Sequence, residues 1–318
     1  MLTPWLWAVF TVVAAFAQTL RNAMQRELTQ SLGTVGATHV RFLFGFPFVL
    51  VFLAGILIAT GAPVPWPGWM FWPWVLDGAF AQVLATALML LAMGERSFVV
   101  TIAYIKTEPI QVAIFGLVFL GDTLTWPMMT AIVVATTGVV IMSIPHPSLP
   151  RLRGREGWGL ARKSGKVGWG FGSLRPTLIG LASGGAFALS AIGFRGAILS
   201  LGLPDYVMAA TFTLAIGIAM QAVVLSLWLA LRQPAVLYAI AAAWKRSLFA
   251  GFMGALASQF WFLAFALATA ASVRTLALIE VLFAQIISRA AFGHRTSARE
   301  ALGMLLVVAG VALLLWAY

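Results

Sequence analysis

Apolar residues recur in long runs along the whole chain, and short polar segments separate one run from the next. A membrane helix needs about 20 predominantly apolar residues, and the runs match this length. The pattern predicts ten membrane helices, at residues 4–25, 36–60, 70–93, 97–120, 126–144, 177–200, 206–231, 246–268, 271–292 and 299–317. The expected fold class is therefore an all-α polytopic membrane protein with ten transmembrane helices.

The composition supports lipid as the surroundings of these helices. Apolar residues make up 62% of the chain and charged residues 9%, compared with roughly 25% charged residues in soluble domains. So few charges cannot cover a water-facing surface. A cleaved secretory signal would begin with basic residues, whereas the first basic residue, Arg21, follows the first apolar run. We therefore expect that run to be the first membrane helix.

The net charge of +11 is concentrated in a few segments. Residues 145–176 are strongly basic, and further basic residues near 232–246 and 295–299 fall on the same side if there are ten helices. Lys and Arg are absent from the loops on the opposite side, at residues 61–69, 121–125 and 201–205. The positive-inside rule then predicts an inner (plasma) membrane protein with cytoplasmic basic loops and both termini outside. We expect the lipid bilayer, and no nucleic acid, as a partner.

An internal repeat divides the chain into two halves. A shift of 172 residues places Glu108 on Glu280, and the same register aligns pairs of glycines, Gly121 with Gly293 and Gly138 with Gly310. Each copy holds five predicted helices, and an odd number reverses the second copy relative to the first. The expected organisation is an N-terminal five-helix repeat (1–144), a basic cytoplasmic linker (145–176) and an inverted C-terminal five-helix repeat (177–318). Secondary transporters are often built this way, with the site at the midplane between the repeats.

A family resemblance follows from the segment EPIQVAIFGLVFLGDTLT, residues 108–125, and the TGVVIM that comes after it. The pair resembles the repeat of the EamA family in the drug/metabolite transporter superfamily, through Pro109 and the LGD at 120–122. The second copy, EVLFAQIISRAAFGHRTS at 280–297, is degenerate and has Val281 in place of proline. The resemblance implies a ten-helix inverted-repeat transporter with a central cavity from which the fifth and tenth helices pack away. It also implies small polar cargo, often exported, including amino acids in the YddG-type branch.

Charged side chains interrupt the predicted helices. Burying an ion in hydrocarbon costs about 2.5–3.5 kcal/mol on insertion scales, so such groups are expected to face the bundle interior or a wet cavity. For Arg21 and Arg41 the alternative is snorkelling to the interface. For Glu108 and Glu280 the alternative is a static salt bridge. Lys106 lies two residues from Glu108, about 200° around a helix, so one is expected to face the cavity and the other a neighbouring helix.

Three further residues of the predicted helices enter the interpretation. Pro109 removes the helical hydrogen bond to the Ile105 carbonyl, which predicts a kink and a carbonyl free to contact cargo. Arg195 and Arg289 lie nearer helix ends and are expected to snorkel. The predicted substrate-binding residues combine the intramembrane charges with nearby hydrogen-bonding groups: Lys106, Glu108, Glu280, Arg274, Arg21, Asn22, Arg41, Tyr104, Gln18, Gln111, Gln259 and Trp261.

The charge balance within the helices is basic, which favours cargo that bears a carboxylate, sulfonate or phosphate. An amino acid would engage both signs, with its carboxylate on Arg or Lys and its ammonium on Glu. The sequence therefore predicts an alternating-access secondary transporter that exports amino acids or related carboxylate-bearing compounds. The alternatives are an exporter of drugs, organic anions or phosphorylated metabolites, or a channel or sensor. The direction of transport and proton coupling through Glu108 or Glu280 stay open.

An enzyme is not expected. The three histidines (His39, His146 and His294) are scattered, and the chain contains no HExxH, nucleophile elbow or P-loop. The chain also has no cysteine, which excludes a thiol nucleophile, a disulfide and a thiolate metal site. We expect no cofactor and no metal, a small molecule as substrate, and a monomer or weak homodimer.

Overall fold

The computed structural model describes residues 5–95, 104–143, 174–283, 285 and 297–318. All regular secondary structure in these residues is helical. The α-helices are α1 (Leu6–Thr60), α2 (Phe71–Glu95), α3 (Glu108–Phe115), α4 (Trp126–Ser143), α5 (Leu174–Ser200), α6 (Tyr206–Arg232), α7 (Pro234–Ala242), α8 (Trp244–Leu267), α9 (Ala270–Leu276) and α10 (Ala298–Ala317). A π-helical turn, Gly116–Leu120, continues α3, and a 3₁₀ turn, Ala277–Ile279, continues α9.

Apolar segments long enough to cross a membrane are present throughout this part of the chain. Six helical segments qualify by length and hydropathy: Glu27–Thr60, Phe71–Ala92, Thr177–Ser200, Tyr206–Arg232, Trp244–Leu267 and Ala298–Ala317. Two shorter apolar helices are Glu108–Leu120 and Trp126–Met142. The multi-pass helical class is therefore confirmed, whereas the count of ten and the inverted repeat stay predictions. Most of the predicted linker, Arg289 and His294 lie outside the described residues.

Helix α1 contains two of the predicted membrane helices, joined without a loop. The chain reverses at Gly33, whose backbone has φ 69° and ψ 177°. Across this reversal, the side-chain amide of Gln25 in the first arm donates a hydrogen bond of 2.9 Å to the carbonyl of Ala37 in the second arm. These residues are twelve apart, and a straight helix would separate them by about 18 Å. The two arms of α1 therefore form a hairpin with its tip at Gly33.

Replacement of Gly33 by alanine should destabilise the protein by about 1–3 kcal/mol. The backbone angles of Gly33 lie in a region that is essentially restricted to glycine, and nothing lies within 4 Å of an added Cβ, so the loss would be backbone strain alone. Gly55→Ala is the matched control, because Gly55 is helical and equally open. Unfolding in detergent should separate the two variants, and equal stability would contradict the hairpin geometry.

The principal helix pairs each join the first half of the chain to the second. Helix α1 packs mainly against α8, α2 against α5, and α4 against α10. At the α2–α5 crossing, a Cβ on Gly193 would lie 2.5 Å from the backbone nitrogen of Gly78. The short helix α7, which the hydrophobic pattern did not predict, covers the tip of the α1 hairpin, where Gly36 leaves room for Val236. The predicted division into two domains is not tested by these contacts.

Both glutamates of the predicted repeat follow a break in their helix. Lys106 and Thr107 form a turn, and α3 begins at Glu108 with Pro109 in its first turn. The 3₁₀ turn Ala277–Ile279 lies just before Glu280. The expected kink at Pro109 thus takes the form of a helix interruption at 106–107, with the proline in the first turn of α3, where it is well tolerated. The Ile105 carbonyl lies against α5, where a Cβ on Gly184 would be 3.0 Å from it.

Candidate functional site

A cavity of about 40 Å³ lies where the two halves meet. At roughly 10–15 Å³ for each water on this measure, it has space for about three water molecules. The described residues that line it come from α1, α2, α3, α5, α8, α9 and the two helix breaks: Gln18, Arg21, Asn22, Arg41, Gln82, Met89, Ile105, Lys106, Glu108, Phe187, Ser190, Phe194, Ser258, Trp261, Phe262, Phe265, Arg274 and Glu280. Helices α4 and α10 do not reach the cavity.

Two apolar clusters contribute side chains to the lining of this cavity. The tip cluster packs around the α1 hairpin and supplies Met89 and Ile105 to the lining. The aromatic cluster belongs to the larger core and supplies Phe194, Phe262 and Phe265. Apolar side chains from both clusters therefore line the cavity beside its polar groups.

Two ion pairs cross between the halves at the centre of the cavity. The Lys106 ammonium lies 2.8 Å from the Glu280 carboxylate, and the Nε of Arg274 lies 3.0 Å from the Glu108 carboxylate. In each pair the acid and the base come from different halves of the chain. All four side chains are buried. The two carboxylates aligned by the repeat are thus both neutralised across the interface.

The two pairs differ in how fully their carboxylates are bonded. Glu280 accepts hydrogen bonds from Lys106 at 2.8 Å and from the side-chain amide of Gln18 at 2.7 Å, one on each oxygen. The indole of Trp261 in turn donates to Gln18 at 3.0 Å. The Arg274–Glu108 contact lacks hydrogen-bond geometry despite its short distance, so it is an electrostatic contact. The guanidinium of Arg274 also lies 4.7 Å from the ring centre of Trp261, a favourable cation–π distance.

Arg21 and Arg41 form a second cationic group, and neither makes a salt bridge with a carboxylate among the described residues. Arg21 donates to Asn22 at 2.7 Å and Arg41 to Ser258 at 3.3 Å. In the described part of the chain, Nε and Nη1 of Arg21 and Nε of Arg41 have no hydrogen-bond partner. Both side chains are almost completely buried, with 2% and 3% of their surface exposed. The snorkelling alternative is therefore wrong for both.

Nine of the twelve predicted site residues line this cavity: Gln18, Arg21, Asn22, Arg41, Lys106, Glu108, Trp261, Arg274 and Glu280. The other three lie elsewhere. Tyr104 packs against Gly180, Gln111 donates to Thr107, and Gln259 donates to Thr211. The role of all twelve residues in binding cargo stays a prediction.

The expectation that Lys106 and Glu108 point in different directions is wrong. Both side chains line the cavity. The angular estimate assumed an unbroken helix, whereas the turn at 106–107 separates the two residues. The static salt bridges weighed for the glutamates are present, and each is made to the opposite half.

The sequence interpretation missed three neutral polar residues of the lining. Gln82, Ser190 and Ser258 are buried polar side chains within apolar helices, and that isolation was the only available signal. Gln221 on α6 holds Gln82 through a hydrogen bond of 2.9 Å. The aromatic residues of the lining are indistinguishable by type from ordinary core residues.

Arg195 forms an ion pair away from the cavity, near the end of α5. Its guanidinium lies 3.0 Å from the carboxylate of Asp122 and also donates to the carbonyl of Ala268. The expectation that Arg195 snorkels to the interface stays a prediction. Burial raises the pKa of the Asp122 carboxyl above its usual value, and Arg195 offsets part of that rise. The contact joins the loop of the first half to the second half.

Comparisons with solved structures show which fold the chain shares. Among the described residues, no group of His, Asp or Glu side chains could hold a metal ion. No curated protein matches the chain. Of 26 matching chains of solved structures, one titled "Crystal structure of protein" has a TM-score of 0.68 at 14% identity, covering 98% of this chain and 94% of its own. That likeness shows a shared fold alone.

A family model gives the more specific result. Residues 5–144 match the model of the EamA-like transporter family. This range includes both arms of α1 and the segment with Lys106 and Glu108. The match and the apolar helices together indicate a multi-pass membrane protein whose residues 5–144 are similar to the EamA-like transporter family.

Proposed function

We propose that the protein is a secondary transporter that moves small carboxylate-bearing metabolites out of the cell across the inner membrane by alternating access. Its framework is ten membrane helices in two inverted five-helix repeats. The observation that carries the proposal is the buried polar cavity between the halves, with ion pairs that cross from one half to the other. Buried charges in membrane helices mark substrate or ion pathways, and static packing alone would be better met by apolar residues.

The two ion pairs that join the halves are compatible with a cavity that opens to each side of the membrane in turn. When the halves rock apart, each ion pair has to stretch or exchange its partner, and cargo can replace that partner. The Asp122–Arg195 pair is a latch at one end of the molecule, because it joins the halves there. If the basic loops are cytoplasmic, as the positive-inside rule predicts, this is the outer end. The pair has to separate before the cavity opens on that side.

Counterflow in proteoliposomes tests the proposal. Purified protein in liposomes preloaded with a carboxylate compound should accumulate the labelled external compound transiently, and uptake should saturate with concentration. A carrier gives this overshoot, whereas a channel lets the gradient dissipate without it. The proposal fails if neither amino acids nor organic anions cross while a cation does.

A second cargo class, organic anions without an ammonium group, is favoured by Arg21 and Arg41. An amino acid would need a free carboxylate for its ammonium. Both oxygens of Glu280 already accept hydrogen bonds, and Glu108 faces Arg274. The arginines, in contrast, have unpartnered donors among the described residues.

Loss of the latch should speed access to the cavity from one side only. The chain has no cysteine, so Ser190→Cys places a single thiol in the cavity lining for an impermeant maleimide. Adding Asp122→Asn should increase the rate at which maleimide labels this thiol from the outer side by about threefold to tenfold. A partly buried ion pair contributes on the order of 1 kcal/mol, which corresponds to this factor. Glu27→Gln, which removes an exposed pair with Arg246, is the control. Equal acceleration from both sides would refute the latch.

A further inference from the structure

We infer that the cargo is a small dianion, seated between Arg21 and Arg41. The inference rests on the proposed transport function and specifies what that site carries. It depends on the charge of the cavity, on the geometry of the two arginines and on the fact that both carboxylates of the described lining already face a cation.

The described lining has an excess of two positive charges. A proton exchanged within the Lys106–Glu280 pair leaves that excess unchanged, because the pair sums to zero in either form. Arginine stays protonated in proteins, and protonation of Glu108 would only enlarge the excess. The charged lining residues are Arg21, Arg41, Lys106, Arg274, Glu108 and Glu280. A ligand with two negative charges would neutralise them, and a zwitterion would not.

Arg21 and Arg41 lie close enough together to form a single anion-binding position, the seat. Their side chains come from opposite arms of the α1 hairpin and converge over Gly254 on α8. A Cβ on Gly254 would lie 3.4 Å from Cδ of Arg21 and 3.2 Å from Cγ of Arg41. Asn22 and Ser258 each hold one nitrogen, which fixes the two guanidinium groups. Their other donors can match the fork geometry of a carboxylate or phosphate group.

The charge of the rest of the lining disfavours an ammonium group. The carboxylate oxygens of Glu280 are occupied by Lys106 and Gln18. Glu108 is the other carboxylate in the described lining, and it lies 3.0 Å from Arg274. A cationic group would therefore add to an existing positive excess in a medium of low dielectric constant.

A charge series of similar size tests the inference with the unaltered protein. Succinate, succinamate and 4-aminobutyrate carry two negative charges, one negative charge and no net charge, respectively. In proteoliposome counterflow at neutral pH, succinate should exchange at least about tenfold faster than the other two, because each loses a charge-assisted contact. Exchange of glycerol 3-phosphate, a dianion with a phosphate group, is measured in parallel. The faster of the two dianions distinguishes a dicarboxylate from a phosphate monoester, and either one supports the inference.

The outcomes separate this inference from the proposed function. If none of these compounds, no amino acid and no other organic anion shows saturable exchange, the transport proposal itself fails. If 4-aminobutyrate or an amino acid exchanges faster than both dianions, the protein is a transporter and the dianion inference is overturned.

A variant adds a readout that loss of folding cannot imitate. Arg21→Gln removes one positive charge from the seat and should shift the preference from succinate toward succinamate by about tenfold. Arg246→Gln removes a positive charge from an exposed pair with Glu27 and should leave the ratio unchanged. An unchanged ratio in an active Arg21→Gln protein would overturn the inference. If that variant does not fold, the charge series on the unaltered protein still decides.

Discussion

Substitution of Glu280 by glutamine should destabilise the protein by about 3–5 kcal/mol and abolish counterflow. The change keeps the shape of the side chain but leaves the Lys106 ammonium buried without its carboxylate, and removing one partner of a buried pair is strongly destabilising. Lys106 and Glu280 are such a buried pair, because their charged atoms lie 2.8 Å apart and both residues are buried. Denaturant titration in detergent would measure the stability, and counterflow in proteoliposomes the activity.

The double variant Lys106→Met, Glu280→Gln is the matched control. Replacing both members of a buried pair is often neutral or stabilising, so we expect its stability to return to within about 1 kcal/mol of the unaltered protein. Its counterflow should stay low, because the pair that crosses between the halves is absent. A fully active double variant would show that the pair is structural only, and an unaffected single variant would show that Lys106 has another partner.

Gly193→Leu should have the second largest effect, a destabilisation of more than about 3 kcal/mol. A Cβ at this position would lie 2.5 Å from the Gly78 nitrogen and 2.8 Å from its Cα. Backbone atoms cannot rotate away, so α2 and α5 would have to separate, and overpacking of this kind commonly costs about 1–3 kcal/mol or more. The same denaturant titration measures the effect.

A graded series makes the result specific. Gly193→Ala should fall between the leucine variant and the unaltered protein, because its smaller side chain needs a smaller separation of the helices. Gly55→Leu places the same large side chain on an open helical surface and should leave the stability nearly unchanged. Similar losses for Gly193→Leu and Gly55→Leu would contradict the close crossing of α2 and α5.

The membrane helices were accessible to sequence reasoning because the bilayer thickness fixes the length of an apolar run. The alignment of the two halves of the sequence also identified Glu108 and Glu280 as a pair of candidate site residues, and both line one cavity. Their ion-pair partners could not be read from the sequence. Lys106 is 174 residues from Glu280, and the pairing depends on how the two halves pack.

Local breaks in the helices explain most of the errors at the site. Periodicity places side chains correctly only while a helix continues, and the turn at 106–107 cancels the expected opposition of Lys106 and Glu108. The neutral residues Ser190 and Ser258 were missed because a single serine in an apolar helix is commonplace. The ion pair of Arg195 was not predicted because its acidic partner, Asp122, lies in a loop 73 residues away.

The excess positive charge of the cavity has an electrical consequence. Moving one elementary charge across a membrane costs or releases about 2.3 kcal/mol per 100 mV. In the proposed alternating-access cycle, two uncompensated charges would pass through part of that voltage drop when the empty protein switches its opening from one side to the other. With the proposed dianion bound, the cavity would carry no net charge. The membrane potential would therefore act on the return of the empty carrier, and its inside-negative sign would favour the state that waits for cargo on the cytoplasmic side.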